Sequence, residues 1–255
     1  MKSNTLERWS PLFLLVITVV IWEFLCRVFD VSEFVFPSPS RIVEQMVEYR
    51  DVIGGHAWRT FWVTMVGFGL AIVVGVLLGF VIGSSRLAYA AFYPLMTAFN
   101  ALPKAAFVPI LVVWFGIGVG PAILTAFLIS FFPITVNIAT GLATLEPELE
   151  DVLRVLGARR WDVLVKVGLP RSIPYFYGSL KVAITLAFVG TTVSEMTASN
   201  EGIGYLLISA GSSMQMGLAF AGLVVVGAMA MAMYEFFSYV EKHTTGWAHR
   251  GSQHN

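Results

Sequence analysis

This chain has little charge and almost no sulfur chemistry: Asp, Glu, Lys and Arg together make up 13% of its 255 residues, and Cys26 is its only cysteine. A single thiol excludes an internal disulfide and a cysteine-based metal site. Sixteen basic and sixteen acidic residues leave no formal net charge. That balance argues against a nucleic-acid partner, which needs a basic surface to displace counterions from phosphate. The sequence also lacks a Gly-Lys-Ser/Thr phosphate loop, an HExxH, a GxSxG and any Cys/His cluster. Three of its four histidines, His243, His249 and His254, lie in the C-terminal tail. No catalytic residue, cofactor-binding residue or metal ligand is expected.

What is present is apolar. Hydrophobic residues form 57% of the chain and the mean hydropathy is +0.77, against about 25% charged residues in a soluble domain. The chain belongs in a bilayer. Lys2 and Arg8 precede a hydrophobic run from Pro11 to Trp22, but no small-residue cleavage site follows and apolar residues continue to Phe29. A retained first span over 9–29, with the N-terminus cytoplasmic, is the expectation. Inside it Glu23 and Arg27 stand four apart, acid first, the favourable helical order. Alone at the bilayer centre each would cost about 2.5–3.5 kcal/mol. They form a self-neutralising pair near the outer interface, or else Glu23 belongs to a transport path.

From Asp30 to Arg59 the chain is polar. Pro37-Ser38-Pro39-Ser40 breaks structure before an amphipathic segment, RIVEQMVEYRDVI, expected at the outer surface with Ser40 as its cap. A span follows at 60–85. In it Gly75, Gly79 and Gly83 repeat every four residues, giving one face where another backbone can approach, within the chain or across a subunit contact. Arg86 marks the cytoplasmic side, and Leu87 to Leu102 reads as a partly buried helix broken at Asn100 and Leu102-Pro103-Lys104.

Ala105 to Leu145 carries no charge and is too long for one crossing. Gly116-Ile-Gly-Val-Gly-Pro121 divides it into spans at 105–117 and 120–143, kinked at Pro109 and Pro133. Two more are expected at 175–198 and 216–240, separated by an outer loop from Ser199 to Gln215. The fold class is thus all-α, a polytopic membrane protein of six transmembrane helices forming one domain over 1–255. The proposed inner segments hold Lys2, Arg8, Arg86, Arg154, Arg159, Arg160, Lys166, Arg171, Lys242 and Arg250, and the outer ones mainly Arg41, Arg50 and Arg59. This bias places both termini inside. Glu195, at the outer end of the fifth span, either meets a solute path or reaches the outer interface.

Glu146 to Pro174, EPELEDVLRVLGARRWDVLVKVGLPRSIP, is a charged island between these apolar runs. Leu149, Val152, Leu153 and Leu156 fall on one helical face while Glu148, Glu150, Asp151 and Arg154 occupy the other. Pro147 suits a first helical position, and Gly157 suits the left-handed residue that ends a helix. A second amphipathic segment aligns Trp161, Leu164 and Val165, and Leu169-Pro170 closes it. The shape is helix, glycine elbow, helix.

Gly157, then nine residues, then Val167, one residue and Leu169-Pro170 resembles the "EAA loop" of permease subunits of binding-protein-dependent ABC importers. Asp151-Val152-Leu153 stands where that family has Glu-Ala-Ala, keeping an acid and enlarging both alanines. ALPKAAFVPILVVWFGIG and Glu201-Gly-Ile-Gly-Tyr205 resemble, more narrowly, the subgroup carrying nitrate, sulfonates such as taurine, and pyrimidine precursors of thiamine.

The resemblance implies a type I permease fold in a bacterial inner membrane and a loop over 146–174 that docks onto a cytoplasmic ABC ATPase dimer. Asp151, Leu153, Arg154, Gly157, Ala158, Arg159, Arg160, Leu169 and Pro170 would form that coupling element. It further implies an extracytoplasmic solute-binding protein, a second permease copy in a homodimer, and ATP bound by the partner ATPase and not by this chain. The competing expectation is an ion-gradient-driven secondary transporter or channel, a class that often shows inverted repeats and buried charges.

Overall fold

The computed structural model describes residues 5–143, 152–153 and 155–245; Asp151 and Arg154 lie outside them. Every regular element among the described residues is helical. In chain order these are α1 (Thr5–Val28), α2 (Pro39–Glu48), α3 (Arg50–Gly83), α4 (Arg86–Ala101), a 3-10 turn (Lys104–Phe107) and α5 (Val108–Phe115). They continue as α6 (Val119–Ala143), α7 (Arg160–Val163), a π-helical turn (Leu164–Gly168), α8 (Leu169–Ala198), α9 (Ile203–Ser212) and α10 (Met216–Thr244).

Four of these are long and apolar enough to cross a bilayer: α3, α6, α10, and α8 together with its lead-in from Trp161. A fifth crossing forms if α4 and the segment Lys104–Phe115, bent by 75° at their junction, count as one. The span expected at 105–117 is therefore not a helix of its own. Pro109 sits in the first turn of the eight-residue α5, where its missing N–H costs nothing, and so starts a helix instead of kinking one. The helix before it is partly buried, as expected: Ala88, Tyr89, Met96 and Phe99 are half-buried and none of its residues is fully buried.

Other boundaries also move. The amphipathic segment expected to run on to Ile53 stops at Glu48, and one non-helical residue, Tyr49, separates it from α3. The second span thus starts at Arg50, and its 34 residues reach about 51 Å, well past the hydrocarbon core. The cap of α2 is Ser38, whose hydroxyl accepts from the N–H of Arg41, and not Ser40. Leu169-Pro170 opens α8 and does not close the segment before it. The outer loop at 199–215 contains the ten-residue helix α9.

The core lies where α6 packs between α3 and α8. Cβ atoms added at Gly75, Gly79 and Gly83 would fall 3.0, 2.8 and 2.8 Å from α6 atoms at Ile134, Thr135 and Ala139 or Leu142. The glycine face therefore receives a helix of the same chain. Gly190 of α8 meets Ala126 and Thr125 from the other side. Phe68, Ala126, Ile134, Ile138, Ala183, Ile184 and Phe188 fill the space between. Thr125 and Ser130 return their hydroxyls to the carbonyls of Pro121 and Ala126, which satisfies these two side chains inside the bundle.

α10 packs against α8 and α9, with Phe237 edge-on to Phe68 at 5.5 Å. α1 is tied in near its C-terminal end, where Trp22, Phe36 and Phe220 form a ring cluster. Most of its apolar side chains from Leu12 to Phe29 are exposed.

Candidate functional site

Two constructions at opposite ends of the bundle carry the features that the sequence singles out. At one end, residues 152, 153 and 155 are helical, and Gly157 follows at φ +86°. The N–H of Ala158 donates to the carbonyl of Leu153 at 2.9 Å, and that of Leu156 to Val152 at 3.1 Å. The six-to-one bond over a left-handed glycine is the Schellman stop of a helix. The chain restarts at once. The N–H of Arg159 donates to the Asp162 carboxylate at 3.3 Å, and Lys166 pairs with the same carboxylate at 3.0 Å.

From there α7, the π turn and α8 run on without a break, so the elbow is continuous with a spanning helix. Val163 is buried, and Trp161 meets Phe80 of α3 edge-on at 5.9 Å, which fixes this arm to the bundle. The other arm is bare: Val152, Val155 and Leu156 are 57%, 88% and 76% exposed. Leu153 and Ala158 are half-buried and Arg159 is exposed. Of the residues expected to couple, Leu153, Gly157, Ala158 and Arg159 gather at the elbow and Arg160 opens α7. Leu169 and Pro170 lie in the first turn of α8.

At the opposite end Glu195 neither lines an opening nor reaches the surface. It is 2% exposed. Its carboxylate accepts the Thr60 hydroxyl of α3 at 2.8 Å and the N–H of Gly204 at 3.0 Å. The Thr60 oxygen in turn accepts the N–H of Ile203 at 2.7 Å. α9 has no cap in its own chain segment, and these contacts satisfy two of the donors left orphaned at its start. Gly202, at φ +98°, lets the backbone pass over the carboxylate, since a Cβ there would overlap it. Around this knot the N–H of Gly202 donates to His56 Nδ1 at 3.0 Å and Arg59 pairs with Glu201 at 3.0 Å. Thr64 and Thr191 bond one helical turn deeper at 2.8 Å.

Sequence reasoning missed Thr60, an uncharged residue whose partner lies 135 positions away. It also missed Lys181 in α8, which pairs with Glu241 of α10 at 2.6 Å with side chains 19% and 16% exposed. Opposite charges in the last two spans were the available signal. Glu23 does pair with Arg27 at 2.6 Å, and it also takes the N–H and hydroxyl of Ser40.

The described residues thus form an all-helical bundle with four or five helices fit to cross a bilayer, a structured elbow at one end and no metal-ligand cluster. Its fold matches a chain of the inward-facing MetNI methionine ABC transporter with a TM-score of 0.67 at 17% identity, covering 77% of this chain and 98% of that one. The family model for the binding-protein-dependent transport system inner membrane component matches residues 71–245. The formylaminopyrimidine transport permease protein ThiX of Halalkalibacterium halodurans is 30% identical over 80% of this chain and 81% of its own length. The putative aliphatic sulfonates transport permease protein SsuC of Bacillus subtilis is 26% identical over 92% and 86%. This chain belongs to the binding-protein-dependent inner membrane component family.

It is therefore the non-catalytic, multi-pass membrane subunit of an ABC importer, with ATP hydrolysis in a separate subunit and a binding protein as the family's other partner. Family membership displaces the gradient-driven alternative.

Proposed function

We propose that this permease imports a small solute, nitrate, a sulfonate such as taurine or a pyrimidine, handed over by an extracytoplasmic binding protein, and works as a homodimer. Residues 146–174 serve as the handle gripped by the cytoplasmic ATPase dimer. α1 is the first of six crossings, the bent pair of α4 and α5 is the third, and both termini are cytoplasmic.

The observation that carries the coupling role is the bare apolar arm at the elbow. Val152, Val155 and Leu156 present an exposed hydrophobic face at the water-facing end of the bundle, next to exposed Arg159. Exposed apolar clusters rimmed by charge mark protein contacts. Because the elbow runs without a break through α7 and the π turn into α8, a push on that face reaches the membrane as a movement of a whole helix.

The test is purification from its own cells in mild detergent, followed by disulfide cross-linking from Leu156→Cys in a Cys26→Ser background. Recovery of a stoichiometric ATPase and its cross-link to position 156 are expected. Recovery of the permease alone, or labelling of Arg159→Cys from the outside, would overturn the reading.

A further inference from the structure

We propose that Lys104 is a solute-contacting group of this permease, set at mid-membrane to receive the oxygens of a small oxyanion such as a sulfonate or nitrate. The inference rests on the permease reading and narrows its solute. From Leu87 to Leu145, Lys104 is the sole charged residue. It stands at the 75° break of the bent crossing, between the end of α4 and the 3-10 turn it begins.

Its depth is read from α6. The ammonium lies 5.8 Å from the ring centroid of Phe132. Phe132 is at the middle of α6, a 25-residue crossing, and so about 20 Å from its outer end and nearly as far from its inner one. A cation at that depth cannot be turned toward hydrocarbon without a large cost, and such groups face a bundle interior or a water-filled cavity.

Three other cations on the helices have a carboxylate partner. Arg27 pairs with Glu23 at 2.6 Å, Arg59 with Glu201 at 3.0 Å and Lys181 with Glu241 at 2.6 Å. Among the described residues Lys104 has no carboxylate. It donates to the carbonyl oxygen of Asn100 at 3.0 Å and to Asn100 Oδ1 at 2.8 Å. Two neutral dipoles orient the ammonium without cancelling its charge, and one of its three N–H donors is left for another acceptor.

The surroundings are open: Ala101, Leu102, Pro103, Ala105 and Ala106 are all exposed. Discontinuous membrane helices are where many transporters form their solute sites. An oxyanion supplies the missing counter-charge and accepts a charge-assisted hydrogen bond. A neutral pyrimidine supplies no counter-charge.

The experiment uses the whole importer, permease with ATPase and binding protein, in proteoliposomes. Uptake of radiolabelled ethanesulfonate, nitrate and a neutral formylaminopyrimidine is compared for the natural protein and Lys104→Met. The natural protein is expected to take up an oxyanion, and Lys104→Met to take it up about ten- to hundredfold more slowly while binding-protein-stimulated ATP hydrolysis persists. In Lys104→Cys with Cys26→Ser, an aminoethyl methanethiosulfonate should restore uptake and its sulfonatoethyl counterpart should not. Undiminished oxyanion uptake by Lys104→Met, or a natural protein that carries only the neutral solute, overturns the proposal. An assembly in which the permease stimulates no ATP hydrolysis sinks the permease reading and takes this proposal with it.

Discussion

Glu195, at the end of a spanning helix, caps the start of the short helix α9: its carboxylate accepts the N–H of Gly204 in that helix's first turn. Glu23 does the same for α2, accepting the N–H of Ser40. In both places an acid in a long helix is held by a short helix, where a helix N-terminus favours negative charge. Neither needs a solute to explain it. The two short helices are thereby pinned to α8 and α1.

Removing the buried cap by Glu195→Ala leaves the donors of Thr60 and Gly204 without an acceptor. A loss of about 2–4 kcal/mol of stability is expected, read as a lowered thermal midpoint in detergent. Glu195→Gln should lose less, because its amide keeps one acceptor oxygen but turns a donor toward another donor. Uptake per folded complex should be unchanged in Glu195→Gln. Abolished uptake with an unaltered midpoint would instead put Glu195 on the solute path.

Thr60→Val keeps the shape and deletes the hydroxyl that links Glu195 to the N–H of Ile203. About 1–3 kcal/mol should be lost. In a double-mutant cycle with Glu195→Ala the two losses should not add, since both remove one shared network. Full additivity would mean that the hydroxyl and the carboxylate do not act together.

At Gly79 a side chain would meet the Thr135 carbonyl at 2.8 Å, whereas at Gly69 it would meet nothing within 4 Å. Gly79→Ala should therefore separate α3 from α6 and cost about 1–3 kcal/mol by overpacking. Gly69→Ala should be neutral or slightly stabilising, since alanine is the better helix former. Equal midpoints for the two variants would show that α3 and α6 do not pack as described.

Much of this architecture is legible in the sequence because bilayer helices announce themselves by uncharged length, and because a glycine at the end of an amphipathic pattern has few roles. Gly157 and the turn at Gly116 and Gly118, all at positive φ, are of that kind. The boundaries were less legible. Tyr49 carries no breaker chemistry, yet this one residue ends α2 and starts α3. The π turn at Leu164–Gly168 lets one helix carry the island into the membrane, and no local propensity marks it. The Thr60–Glu195 bond and the Lys181–Glu241 pair are tertiary facts: their partners lie 135 and 60 positions apart, and only packing brings them together.

Breaking the Lys181–Glu241 pair should show the asymmetry of a sheltered ion pair. Glu241→Leu alone strands the ammonium between α8 and α10, and a loss of about 3 kcal/mol is expected. The double variant Lys181→Met, Glu241→Leu should recover most of that loss, because no charge is left uncompensated. A double variant no more stable than the single one would mean that the contact acts through packing alone.

The coupling role is tested most sharply at Gly157. A Cβ there would meet nothing within 4 Å, so a substitution acts on the backbone and not on neighbours. At φ +86° a β-branched residue is strained, whereas asparagine tolerates the left-handed region. Gly157→Val should move the bare arm of Val152, Val155 and Leu156 relative to α8 and leave the spanning bundle intact. ATP hydrolysis by the partner subunit should then continue while uptake per ATP falls severalfold, and Gly157→Asn should stay close to the natural ratio. Measured together in proteoliposomes, normal coupled uptake in Gly157→Val would show that the elbow geometry transmits nothing. Equal loss in both variants would point to a need for flexibility at this position instead of a fixed left-handed turn.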